Sequence, residues 1–193
     1  MLAERLVDRL GFDQVDGLYH QLPPKKKVYF ADGTMEESQI SSVRDVLAQS
    51  AAWNLGYVSY DGHGSKTLMG DYNNSFIDVV TAQELENDTF PVFAALTCAV
   101  GDDTYPGTRS LAGALVLNPI GGAIAAMAPT GLSLDIDAQV LGGAFVDNLI
   151  SGGNAIGAAV LAAKEQTDGE IEPFMLDIYS VVGDPAVRVI ENY

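Results

Sequence analysis

Cys98 is the sole cysteine of the chain and His63 one of only two histidines. Each closes an apolar run. Leu55-Gly56-Tyr57-Val58-Ser59-Tyr60 leads through Asp61 and Gly62 to His63, and Pro91-Val92-Phe93-Ala94-Ala95-Leu96-Thr97 leads straight into Cys98. A thiol is a poor nucleophile until it ionises. An adjacent imidazole favours the thiolate and returns a proton to the leaving group, which is the chemistry of acyl transfer. Gly62 and Gly64, on either side of the histidine, let the backbone turn tightly and leave room for a peptide, and backbone N–H groups there and at Cys98 are candidate donors to an oxyanion. Taken singly, the two residues carry little weight. A lone cysteine at the end of an apolar strand is commonly a small buried hydrophobe, and a histidine near an aspartate can simply be satisfied in a turn. The pair at two strand ends is what points to catalysis, with Gly62, Ser65, Thr97, Ala99 and Thr130 as the residues that would border a substrate cleft.

The elements that must position this pair follow from periodicity. Residues 2–10 have apolar residues at helical spacing, Lys27-Val28-Tyr29-Phe30 reads as a short strand, and 36–49 reads as a second helix with Glu36 and Glu37 at the positive end of its dipole. The two runs that end at His63 and Cys98 are strands, the second buried on both faces. Helices are expected at about 110–117, 137–150 and 155–166, with a strand at 122–128 between the first two, and a last strand or hairpin around the turn Gly183-Asp184-Pro185. Alternating strands and helices predict an α/β sandwich with a mostly parallel sheet, whose sites lie at the carboxyl ends of the strands. His63 and Cys98 fall at two such ends.

Composition narrows the function. A length of 193 residues supports one domain, and 26 acidic against 10 basic residues, a net charge of −16, disfavours nucleic acid and anionic membranes as partners. Lys25-Lys26-Lys27, the one basic cluster, reads as a solvated loop. One cysteine rules out an internal disulfide framework, and no stretch is apolar enough to span a membrane. The amino terminus does not have the uninterrupted apolar core of a signal peptide. One cysteine, one plausible histidine and scattered carboxylates do not give zinc-ligand spacing, and neither Gly121-Gly122 nor Gly152-Gly153 forms a phosphate-cradling loop. Asp102 and Asp103 read as a solvated acidic loop, and Trp53, Tyr57 and Tyr72 as core or rim packing rather than cleft.

Three stretches together resemble the gingipain-like cysteine peptidases, which share a caspase-like fold. They are Tyr60-Asp61-Gly62-His63-Gly64-Ser65, Ala94-Ala95-Leu96-Thr97-Cys98 with Gly101, and Tyr179-Ser180-Val181-Val182-Gly183-Asp184-Pro185-Ala186. The helix Ser110 to Leu115 and the strand Gly121 to Ala128 are similar to the elements that follow the cysteine in that family. The resemblance covers residues 2 to 190. It implies a caspase-like three-layer α/β/α sandwich, Cys98 as nucleophile, His63 as proton-transfer partner, the amides of Gly64 and Cys98 at the oxyanion, and a structural role for Asp184 and Pro185. It further implies a peptide or protein substrate, an extracellular or cell-surface location, and a structural calcium ion, although no EF-hand pattern is present. The dyad requires no cofactor.

Two departures stand out. Gly113 occupies a helix position where the family often has Glu, and the central strand expected before the first helix is absent from residues 1–193. The chain is then a fragment lacking that strand, a domain whose sheet is completed by an upstream segment or a second chain, or a degenerate member. The reading from a different class is a non-catalytic caspase-like binding or secretion scaffold. Retention of both His63 and Cys98 argues against it.

Overall fold

A computed structural model describes residues 17–20, 26–29, 35–38, 56–72 and 74–189. Its centre is a four-stranded sheet in the order β10, β9, β8, β4, formed by Tyr179–Gly183, Ala125–Pro129, Val92–Leu96 and Tyr57–Asp61. The pairs β4–β8 and β8–β9 are parallel, and only β9–β10 is antiparallel. The mostly parallel sheet read from the sequence is therefore present.

The near-continuous apolar character of β8 has a direct cause. All five residues are buried, and alternate side chains enter opposite cores. Val92, Ala94 and Leu96 join one core with Ala125 and Met127, whereas Phe93 and Ala95 join the other with Ala126 and Ala128. Successive residues of a strand point to opposite faces, so a strand covered on both sides must be apolar throughout. The first face is covered by α3 (Asp135–Val146), α4 (Ile156–Thr167) and α5 (Pro173–Ile178), the second by α1 (Val79–Gln83) and α2 (Leu111–Val116). The result is three layers, α/β/α.

α3 packs close to β8 because of one glycine. A Cβ at Gly142 would lie 2.6 Å from a methyl of Leu96. A π-helical turn at Asp147–Ser151 continues α3 toward α4. Among the described residues no helix is long and apolar enough to cross a membrane.

The structure departs from the sequence reading in places. Met35–Ser38 is strand β3, paired antiparallel with β2 (Lys26–Tyr29), which itself pairs with β1 (Gly17–His20), so Glu36 and Glu37 do not open a helix. Cross-strand pairing overrode a period that fitted both forms. The strand expected from Gly122 begins only at Ala125, because Gly122 sits at φ +83 and gives its N–H to the Asn87 side chain. Val187 and Val189 pack on the core but form no strand. Unforeseen was a small meander of β5 (Gly64–Ser65), β6 (Leu68–Asp71) and β7 (Asn74–Asp78) directly after His63. The helix expected at 2–10, residues 39–49 of the second helix, and Trp53 lie outside the described residues.

Candidate active site

Parallel pairing sets the levels of the two reactive residues. Asp61 is the register partner of Leu96 at the carboxyl ends of β4 and β8, and the Gly62 N–H donates to the Leu96 carbonyl at 3.2 Å. His63 and Cys98 each follow two positions later. Paired strands lie roughly 4.8 Å apart, so both residues emerge at one end of the sheet from neighbouring strands.

The histidine backbone is fixed from two sides. Its carbonyl accepts from the Tyr60 hydroxyl at 2.7 Å and from the Gly70 N–H at 2.6 Å. Burial raises the Tyr60 phenol well above its ordinary range, so it remains a neutral donor. Gly62 takes φ +153, and a side chain there would press on the Tyr60 hydroxyl. Gly64 has no room either, since a Cβ would collide with the Thr97 hydroxyl and approach the Leu68 carbonyl at 3.2 Å. Gly62 is thus required by close approach to Tyr60 of its own strand, and Gly64 by close approach to Thr97 on the nucleophile's strand.

Cys98 is half-buried. The residue after it is forced into an uncommon shape: Ala99 has φ 55, the one described non-glycine with positive φ. Such a backbone costs on the order of 1–3 kcal/mol and persists only where its surroundings impose it. Here the Ala99 N–H donates to Gly131 at 2.8 Å and the Gly101 N–H to Pro129 at 2.9 Å, pinning the turn to the end of β9. The thiol itself lies against Ser133, donating to its carbonyl at 3.7 Å and accepting from its N–H at 3.4 Å. The Ser133 hydroxyl is 2.9 Å from that of Tyr179, a fully buried residue opening β10. Burial, tempered by the Ser133 bond, pushes the Tyr179 phenol up to about 12, with Cys98 and Asp61 close enough to add to the rise.

Asp61 is pushed up to about 6 by loss of water and by the Asp135 carboxyl at the start of α3, with which it shares a hydrogen bond. The residues proposed to line a cleft are dispersed. Ser65 and Ala99 are half-buried and Gly62 is exposed. Thr97 is only 3 % exposed, its hydroxyl lacking a hydrogen-bond partner among the described residues. Thr130 is exposed and holds the Ile178 carbonyl through both its N–H and its hydroxyl, at 2.9 and 3.1 Å. Asp102 and Asp103 serve their own loop by accepting from Thr104 and Ser110. Tyr57 stacks near Phe145 in the core, and Tyr72 is solvent-exposed. Ser133 was read from the sequence only as part of the stretch from Thr130 to Ser133 along which a peptide would lie, and Asp135 and Tyr179 were not singled out as site residues. Among the described residues no group of three or more His, Cys, Asp or Glu could hold a metal ion.

The chain is similar in structure to the crystal structure of the Arg specific cysteine proteinase gingipain R (RgpB), with a TM-score of 0.63 and 22% identity, covering 72% of this chain and 35% of that one. The complex of Porphyromonas gingivalis RgpB pro- and mature domains matches with the same score and identity, covering 72% of this chain and 36% of that chain. The structure of a further protease matches at 0.57 and 16% identity, over 79% and 37%. The chain thus spans little more than a third of these solved chains, and the likeness establishes a caspase-like fold. No curated protein matches the sequence. The model of peptidase family C25, however, matches residues 6–190, nearly the full length, and the chain therefore belongs to peptidase family C25, a family of cysteine-type peptidases.

Proposed function

We propose that this protein is a cysteine endopeptidase that cleaves peptide bonds through a His63/Cys98 dyad. The observation that supports it is the β4–β8 register, in which both residues stand two positions beyond paired strand ends. In this reading the Cys98 proton passes to His63, the thiolate attacks the scissile carbonyl, and the oxyanion is met by the Gly64 and Cys98 amides. Collapse breaks the C–N bond, His63 protonates the departing amine, and a thioester acyl-enzyme remains. Water, deprotonated by His63, then releases the acid and regenerates the thiol. The location that fits such an enzyme, by its family, is outside the cell or at its surface. Its substrate is a peptide or protein.

Since Cys98 is the only cysteine, its alkylation can be read by intact mass without ambiguity. At neutral pH, iodoacetamide or an acyloxymethyl ketone should label the parent faster than His63→Ala, and peptide hydrolysis should drop on the order of 10²-fold or more in that variant. Equal labelling rates would refute the dyad and leave a scaffold with a half-buried thiol.

A further inference from the structure

Resting on that dyad reading, the geometry points to Tyr179 and Ser133 as positioning residues that hold the Cys98 sulfur for ionisation. Three strand ends meet at the Tyr179 hydroxyl. It accepts the N–H of Thr97, the residue before the nucleophile, and bonds the Ser133 hydroxyl at 2.9 Å. Ser133 is steadied further by Met175, whose sulfur lies 3.9 Å from its hydroxyl and accepts the Leu134 N–H at 3.3 Å. One buried phenol therefore ties the end of β8 to the loop between β9 and α3.

That loop presents both backbone groups of Ser133 to the sulfur. The carbonyl receives the S–H of the neutral thiol, and the N–H remains on the sulfur when the proton has gone to His63. A hydrogen bond to an ionised group is worth more than one to its neutral form, so a well-aimed N–H favours the thiolate. The ionisable groups near the Tyr179 hydroxyl are Cys98 itself and Asp61 from β4, Asp61 in turn faces Asp135 from α3, and His63 follows β4. The phenol is neutral throughout the working range and acts through its bonds to Ser133 and to the Thr97 N–H.

The test is the pH profile of iodoacetamide alkylation, read by intact mass, for the parent, Tyr179→Phe, Ser133→Ala and the double variant, with thermal midpoints recorded alongside. Tyr179→Phe should move the half-maximal pH upward by about half to one unit, and lower kcat on a peptide more than it changes KM. Ser133→Ala should move it the same way, and the double variant no further than the larger single shift, because both act through one bond. Unchanged profiles in the folded single variants would overturn the inference, as would fully additive shifts. Should Tyr179→Phe fail to fold, Ser133→Ala alone decides, since that residue is only half-buried. His63→Ala separates the two readings. Alkylation that depends on His63 but not on Tyr179 or Ser133 removes the bracket and keeps the dyad, whereas dependence on Tyr179 and Ser133 but not on His63 does the reverse.

Discussion

Asp61 is written into the same six residues as the catalytic histidine candidate, yet its closest chemical partner, Asp135, lies on a helix far along the chain. Its carboxyl rises from 3.8 to about 6 through loss of water and the facing Asp135. The folded state thus holds that proton more tightly than the unfolded chain. Between those two pH values folding takes up a proton, so stability falls as the pH climbs through the window and levels off above it. Asp61→Asn removes the charge that is resisted. Its thermal midpoint should exceed the parent's at pH 7.5 and converge on it at pH 4, and a gain of the same size at both pH values would show that charge is not the cause. Neither the pairing nor its sign can be read from sequence, because the distance between two carboxylates on separate elements depends on how α3 is laid across β8. The places of His63 and Cys98 just beyond two paired strand ends, by contrast, were legible because each follows an apolar run.

At the scale of elements, the turn Gly183-Asp184-Pro185 shows a motif whose work is structural. The Asp184 side chain accepts the Ala186 N–H at 2.9 Å, and its carbonyl accepts the Val187 N–H at 3.3 Å. The turn so formed offers the carbonyls of Pro185 and Val187 to Gly157 and Ile156, at 2.9 and 2.8 Å. These are first-turn N–H groups of α4, whose N-cap Ala155 has no side-chain acceptor to give them. Backbone from the last turn therefore caps the helix in place of a Ser or Asp. Asp184→Ala should cost about 1 kcal/mol in denaturant unfolding and leave the rate of Cys98 alkylation unchanged, and a loss of alkylation without loss of stability would place Asp184 in the active site instead. The long helices and the buried strands were readable from period and apolar content, since their faces meet fixed neighbours. The meander β5–β7 was not, as its strands are short and glycine-turned, and Glu36-Glu37 misled because a four-residue strand stabilised by pairing carries no helical or alternating signature long enough to weigh.

For the molecule as a whole, the α/β layering followed from alternation of elements, whereas the surroundings of Cys98 draw on β4, β8, the loop after β9 and the start of β10, which only the strand order brings together. The field around it is set by a net charge of −16 that includes the facing pair Asp61 and Asp135. Such a field draws cationic molecules to the thiol and repels anionic ones, by a factor of about 10 or more at low salt. A pair of methanethiosulfonate reagents of similar size, one carrying a trimethylammonium group and one a sulfonate, measures this at Cys98 without requiring turnover. The cationic reagent should react faster at 0.01 M ionic strength, where the Debye length is about 30 Å, and the ratio should collapse toward one at 1 M, where it is about 3 Å. In Asp61→Asn the low-salt ratio should shrink but persist, since the rest of the charge remains. A ratio near one at low salt would mean that the acidic residues are arranged away from Cys98, and that attraction of cationic groups plays no part in what reaches the thiol.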